Sequence, residues 1–301
     1  ISISGNQLTV GGGVSIEKVL EVIVPLGYFL PVSPGSAKVT IGGAIAADVH
    51  GKNHHKDGSL GNHVSRILLI DGRGDIQELK PIQNNSGKTN NFFWATIGGM
   101  GLTGIILEAT ISLIKIDTSF IKADTFICND LDALLKLMKS KDEEYSYSVA
   151  WVDSLHKKTR GVLTCGEHAR LEDLDNITSN HLFYDSKNLG SAPNLFPNGL
   201  LNKFTVKAFN ELWFRKSSTM GNNIQTISQF FHPLDGISNW NRIYGSQGFY
   251  QYQFVVPNDK SYFISKTLDK LKKCSAYSFL TVLKRFGRIN NSFLSFPQPG
   301  W

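Results

Sequence analysis

The ten residues TIGGAIAADV, 40–49, constrain the fold of this chain more than any other stretch. Their composition suits a helix except at Gly42 and Gly43, and each glycine inside a helix costs roughly 0.5–1 kcal/mol relative to alanine. Two together at a helix start call for a close approach by something else. The run Gly42, Gly43, Ala44, Ala46 and Ala47 has almost no side-chain bulk. Either a neighbouring element packs tightly against it, or a flat ring lies on it while free N–H groups at the helix start hold a diphosphate. Both readings stay open on these residues alone.

The surrounding region, 39–64, also holds four of the chain's eight histidines. His50 and His54 have the i, i+4 spacing of a helical zinc pair. The stretch reads HGKNHH, however: it lacks the glutamate of HExxH, Gly51 follows His50 directly, and no cysteine lies near, so no metal is expected. Nucleotide loops fail as well. SGKT (86–89) has Ile82 where a phosphate loop needs its opening glycine, and VGGGVSI has Ile16 where GxGxxG needs its third.

With 301 residues, 41% hydrophobic and 19% charged, the chain can build a substantial core and is expected to form two domains. Its longest apolar stretch, VLEVIVPLGYFLPV, is broken by Glu21, Pro25 and Pro31, too soon for a membrane span. The start ISISGNQ has no signal-peptide pattern, so the protein stays inside the cell or its start has been removed. Three widely spaced cysteines without a CxxC argue for a reducing compartment. The net charge of +6 is spread along the chain. KLMKSK (136–141) and KTLDKLKK (266–273) read first as solvated helix faces, then as attraction toward an anionic substrate or lipid surface. No motif for nucleic acid accompanies them.

The first 117 residues mix short apolar runs with helical patterns such as SIEKVLEVIVPLG, and IDGRGD reads as a turn joining strands RILLI and IQEL. From about residue 118 longer, aromatic-rich strands take over. SYSVAWVDS (146–154) and FYQYQFVVP (249–257) alternate as strands with two unlike faces should. In the second, Gln251 and Gln253 would line a polar pocket wall, with Tyr250, Tyr252, Phe254 and Val256 facing the core. In SFLTVLKRFG (278–287) the same parity puts Val282, Lys284 and Phe286 on one face, where Lys284 either reaches solvent or aims into a cavity.

Three stretches in order, PVSPGS (31–36), TIGGAIAADVHG and FFWATIGGMGLTGII (92–106), resemble the PCMH-type FAD-binding domain of the vanillyl-alcohol oxidase superfamily. HGKNHHKDGSLGNHV, FPNGLLNKF (196–204), ELWFRKS (211–217), FHPLD (231–235), GFYQYQFVVP, YSFLTVLKRFG and SFPQPGW (295–301) narrow the resemblance to the decaprenylphosphoryl-β-D-ribose oxidase family, over nearly the whole chain. The resemblance implies an α+β fold: a partial FAD-binding domain over 1–117, then a substrate domain over 118–301 with a large antiparallel sheet flanked by helices. It implies noncovalent FAD and oxidation of the C2 hydroxyl of a polyprenyl-phosphate pentose to a ketone. The matching cofactor contacts are Gly35, Thr40, Ile41, Gly42, Gly43, Ala47, His50, Gly51, Lys52, Asn53 and Ile106. The matching substrate contacts are Trp213, Gln251, Gln253, Thr281, Val282, Lys284 and Phe286.

His50 and Lys284 are the implied catalytic residues. His50 either transfers the hydroxyl proton or holds a hydrogen bond, and Lys284 holds substrate phosphate or steadies developing negative charge. Thr281 stands where mycobacterial members carry asparagine, and Ala47 where they carry cysteine. Implied surroundings are a lipid-linked sugar or other polyol as substrate, a short-chain dehydrogenase as partner, and a cytoplasmic location with at most peripheral membrane contact. Family members also begin with a glycine-rich segment around the FAD diphosphate and continue past PGW, so a fragment that binds FAD poorly by itself is expected. The alternatives are an aldonolactone or alditol oxidase of the same superfamily, or a flavin-free binding module.

Overall fold

The computed structural model describes residues 1–81, 91–174, 180–186, 190–194, 196 and 198–301; the SGKT stretch lies outside them. Strands β1 (Ser2–Ser4) and β2 (Gln7–Gly11) precede helix α1 (Ile16–Ile23). Ser15 caps α1 by accepting from Lys18 N–H, and Ile16, Val19, Leu20 and Ile23 bury one helical face. Gly27 then takes a φ of 77° that a side chain would resist, which turns the chain into β3 (Tyr28–Phe29). Helices α2 (Ile41–Ala46) and α3 (His54–Asp57) follow, then strands β4 (Val64–Ile70) and β5 (Ile76–Leu79). The expected hairpin is there: Asp71 closes its turn by accepting from the N–H groups of Arg73 and Asp75. After α4 (Asn91–Thr96), β6 (Ile105–Ser112) completes an antiparallel sheet of order β1-β2-β6-β4-β5, and β7 (Ile114–Lys115) pairs with β3.

The rest of the chain builds a second antiparallel sheet. Its strands are β8 (Phe120–Cys128), β9 (Tyr147–Val152), β10 (Gly161–His168), β11 (Asn222–Thr226) and β12 (Val282–Leu283), in the order β11-β8-β10-β9-β12. Helices α5 (Leu131–Glu144), α6 (Lys203–Ser217), α7 (Ile227–Phe231) and α8 (Tyr262–Lys273) flank it. Strand alternation assigns the faces. Ala150, Val152, Leu163, Cys165 and Leu283 lie beneath Leu134 and Met138 of α5 and Ile264 and Leu268 of α8. On the opposite face Ile121, Ala123 and Tyr147 meet Phe230 and Phe231 of α7 and join the core that also contains Ile16, Leu20, Phe29 and Ile41. Val282 pairs with Trp151 in β9, so Val282 and, two residues on, Lys284 share that second face with Tyr147.

The strand expected over 249–257 is not formed. Only its end is paired: Val256 exchanges two backbone hydrogen bonds with Trp301, and Pro257 bridges Gly300. Tyr250 and Tyr252, expected in the core, are 102% and 75% exposed. Alternation specifies two faces but cannot supply an edge to pair with, and without a ladder the aromatic face has nothing to bury it. In 278–287, likewise, only β12 and a bridge from Phe286 to Gly300 are paired. Among the described residues no helix is long and apolar enough to cross a membrane.

Candidate active site

The glycine pair divides into two roles. Gly42 donates its N–H to the Gly12 carbonyl at 2.8 Å, and a Cβ on Gly42 would stand 3.0 Å from that same oxygen. Gly12 is pressed from the other side, since its own Cβ would meet the Ile106 carbonyl at 2.1 Å. Gly42 is therefore bare because β6, the end of β2 and α2 crowd together. Gly43 is exposed, and a Cβ there would meet only Thr40 Oγ1, at 3.1 Å. With half-buried Ala46 and Ala47 it leaves a smooth surface, beside exposed Met100, whose N–H bonds the Ala46 carbonyl, and Leu102.

The expectation of free amides at this helix start is corrected. Ile41 N–H goes to the Val14 carbonyl at 2.8 Å, Gly42 N–H to Gly12, and Gly43 N–H to the capping Thr40 hydroxyl at 3.2 Å. Capping by Thr40 and the carbonyls of the turn at 12–14 consume all three donors. Ile41 has its side chain wholly in the core, so only its backbone borders the α2 surface.

Past α2 the chain is held from inside. Buried Asp48 sits at a φ of 42°; its Oδ1 accepts from Gly61 N–H at 2.8 Å, and its Oδ2 from Asn290 Nδ2 at 2.8 Å and from the Ser295 hydroxyl. Gly51 needs its bareness, because a Cβ would come within 3.0 Å of the Ser33 carbonyl. Asn53 is buried and donates to the Pro31 carbonyl and to Asp57, each at 2.7 Å. The PVSPGS turn is fixed in turn by FHPLD: His232 Nε2 bonds the Ser33 hydroxyl at 2.8 Å, while Asp235 accepts from the Ser36 hydroxyl and Ala37 N–H. Gly35 lies exposed at the tip of that turn.

This scaffold sets His50 among aromatic rings. Its imidazole meets the Phe286 ring edge-on at 4.8 Å and stacks on Phe296 at 6.1 Å. His50 Nδ1 is buried and finds no partner within the described protein. Burial and then the Lys284 charge hold the imidazole neutral, with its pKa pushed down to about 3. His54 (about 4) and His232 (about 3) are lowered in the same way, mainly by burial. Lys52 is lowered to about 7 by burial and by Lys284; its ammonium donates to the Phe230 carbonyl and lies 4.3 Å from the centre of the Phe230 ring. Burial lowers Lys284 to about 8.

Among the described residues no carboxylate forms an ion pair with Lys52 or Lys284. Two half-buried lysines without a carboxylate partner, near neutral histidines, suit an anionic partner. No cluster of His, Cys, Asp or Glu among the described residues could hold a metal ion.

The structure thus brings His50, Lys52, Lys284 and Phe286 together. It does not bring the remaining expected substrate residues to them. Gln251 and Gln253 are exposed, Trp213 is half-buried on α6, Val282 is exposed, and Thr281 is tied through its carbonyl to Val152 N–H at 2.9 Å. Sequence reasoning missed Gly12, Asp48, His232 and Phe296, and weighed His54 only as a metal ligand. The one available signal was the density of polar residues in a stretch flanked by core residues.

A bare, exposed helix face with an unpartnered imidazole and two unpaired cations nearby fits a large, flat, anionic cofactor. Comparison with known proteins agrees: residues 1–80 match the family model described as an FAD binding domain. The first part of this chain is thus similar to FAD-binding domains. Over 99% of its length the chain is 43% identical to a decaprenylphosphoryl-β-D-ribose oxidase of Mycolicibacterium smegmatis, and it spans 65% of that protein's length. It is 28% identical over 96% of its length to an uncharacterized protein of Streptomyces coelicolor, of which it covers 79%. An L-gulonolactone oxidase 3 of Arabidopsis thaliana matches 49% of the chain at 24% identity, which is 25% of the plant protein. Gly43 lies in the stretch that matches the FAD binding domain, and Lys284 directly follows β12 of the second sheet.

Proposed function

We propose that the protein oxidises a secondary hydroxyl of a sugar carried on a lipid phosphate, the C2 hydroxyl of a polyprenyl-phosphate pentose, with FAD as oxidant. One observation carries the reading: neutral His50 stands beside Lys284, which no carboxylate pairs and whose charge also reaches Lys52, in a chain 43% identical, over 99% of its length, to an oxidase of that sugar class. Bound FAD supplies the two-electron acceptor that oxidation of a carbinol carbon requires. The smooth surface of Gly43, Ala46 and Ala47 would hold its ring, bordered by Thr40, Gly51 and the backbone of Ile41, while Gly35 and Ile106 border the approach to it. Asn53 acts through the Pro31 carbonyl and Asp57, fixing the loop that carries His50.

His50 is neutral at neutral pH, so one of its ring nitrogens is unprotonated and can accept the hydrogen of the reacting hydroxyl. An anion bound against Lys284 cancels part of the charge that lowers His50 and makes it a better proton acceptor. Lys284, still mostly charged at neutral pH, stands where negative charge gathers as the hydroxyl gives up its proton. Trp213, Gln251, Gln253, Thr281, Val282 and Phe286 would contact the sugar and its carrier. Such a substrate is met at a membrane surface, toward which the lysines of 266–273 offer attraction. The ketone formed would be the substrate of a separate dehydrogenase.

The test is anaerobic bleaching of flavin absorbance in the full-length, FAD-loaded protein. A polyprenyl-phosphoryl ribose is expected to bleach it, and free alditols and aldonolactones are not. Bleaching by lactones or alditols alone would replace this reading with the aldonolactone or alditol oxidase. Lys284→Met is expected to lower kcat/KM about a hundredfold.

A further inference from the structure

The segment that carries Lys284 is tied down at several points; further along it Asn290 and Ser295 bond Asp48, and nearest to Lys284 one hydrogen bond leads to the FAD-binding half. Val282 and Leu283 pair with β9, Phe286 pairs with Gly300, and Arg285 reaches Asp142 of α5 at 3.4 Å. All three hold the segment to the second half of the chain. The fourth tie crosses over: Gly287 N–H donates to His54 Nδ1 at 3.1 Å. Because Nδ1 accepts from a backbone N–H it carries no proton, so in the neutral ring the hydrogen sits on Nε2, which donates to the Ser59 hydroxyl at 3.2 Å. The contact is close on all sides. A Cβ on Gly287 would stand 2.7 Å from the His55 carbonyl and 2.9 Å from that of His54, and the His54 ring meets Phe286 edge-on at 4.8 Å.

We infer that His54 is a positioning residue: through the Gly287 N–H it fixes the segment that carries Lys284 against the loop that carries His50. The inference rests on the oxidase reading for its effect on turnover and on geometry alone for its effect on Lys284. His54 is fully enclosed, its flanking groups being His50, His55 and Lys284, and burial keeps it neutral. A charged ring would put a hydrogen on Nδ1 and turn the accepted bond into a clash of two donors.

The experiment uses the full-length, FAD-loaded protein and three variants. In His54→Asn the amide oxygen can take the place of Nδ1; in His54→Gln the polar end reaches toward Ser59 instead; His54→Phe keeps the ring and removes both nitrogens. Without substrate, trace acetylation at a fixed mildly alkaline pH, followed peptide by peptide, reports how strongly Lys284 is held in its buried setting beside His50 and Lys52. His54→Gln and His54→Phe are expected to change the acetylation rate of Lys284 by roughly tenfold, as its pKa returns toward that of a free lysine. His54→Asn is expected to restore the original rate within about threefold. With the lipid-linked ribose, kcat should fall roughly tenfold to a hundredfold in the Gln and Phe variants, with FAD content unchanged and partial rescue in Asn.

Equal acetylation in all four proteins would overturn the inference, as would equal loss in Asn and Gln. Should a variant fail to fold, ¹⁵N spectra of the unsubstituted protein decide: a His54 ring with its hydrogen on Nδ1 refutes the tie. If the unsubstituted protein is not bleached by the sugar while the acetylation series behaves as expected, the substrate reading falls and the positioning role stands.

Discussion

The loop over residues 47–63 and the segment over 247–256 both carry polar residues expected at the site, and the structure treats them oppositely. In the loop, Asp48, Asn53, His54 and Ser59 are buried and mutually or locally hydrogen-bonded, with partners such as Gly61, Asp57 and Pro31 close by in sequence or packed directly beneath. In the segment, Gln251 and Gln253 face solvent, and so do Phe249, Tyr250 and Tyr252. The loop is organised by its own hydrogen bonds. The segment presents its side chains on backbone that no ladder holds.

The largest expected effect that would sharpen this contrast is acid sensitivity. His50 and His54 of the loop, with His232 and His168 packed behind it, all titrate well below a free histidine, at about 3, 4, 3 and 4, chiefly because of burial. Their folded pKa values lie below the unfolded value near 6.5, so the unfolded chain takes up protons first as the pH falls. Stability from this source is complete above about pH 6.5 and is lost between there and about pH 4, with a slope on the order of 5 kcal/mol per pH unit near pH 5 if all four act. Urea midpoints that stay flat from pH 7 to pH 5 would break the picture of a loop closed around neutral imidazoles.

Next in size is Asp48→Ala, which strands Gly61 N–H, the Asn290 amide and the Ser295 hydroxyl. A loss of about 3–5 kcal/mol in denaturant unfolding is expected. Gly42→Ala should cost about 1–3 kcal/mol, because the new methyl presses on the Gly12 carbonyl at 3.0 Å. Gly43→Ala should leave stability unchanged or raise it by up to about 1 kcal/mol while weakening FAD affinity, measured by flavin fluorescence. If the two glycines behave alike, their division into packing and cofactor roles is wrong. Smallest is the paired change Gln251→Ala and Gln253→Ala, expected to move stability by less than about 0.5 kcal/mol. A larger loss would mean that the segment is more firmly held than its exposure indicates.

Much of this was legible in the sequence, and what was not has physical causes. Helix α1, the hairpin at Asp71 and the helix at residue 41 follow from periodicity, turn residues and helical composition, all of which act over a few positions. The glycine pair announced a close approach, yet residue types alone could not show that Gly42 serves Gly12 while Gly43 stays open, because that depends on where β6 runs. His54 drew notice as a metal candidate, and only the three-dimensional structure reveals that it spends its two nitrogens on Gly287 and Ser59, while His232 bonds Ser33 through Nε2. The strand expected at 249–257 failed for a complementary reason: its pattern is right and its ladder is missing.

One core runs across residue 117: Ile121, Ala123, Tyr147, Phe230 and Phe231 pack in the same cluster as Leu20, Phe29 and Ile41. A calorimeter should therefore record one heat-absorbing event for both sheets, and swinging one against the other as a clamshell would tear open that shared interior. Ligands must then come and go past surface stretches, with the two halves locked as a single solid.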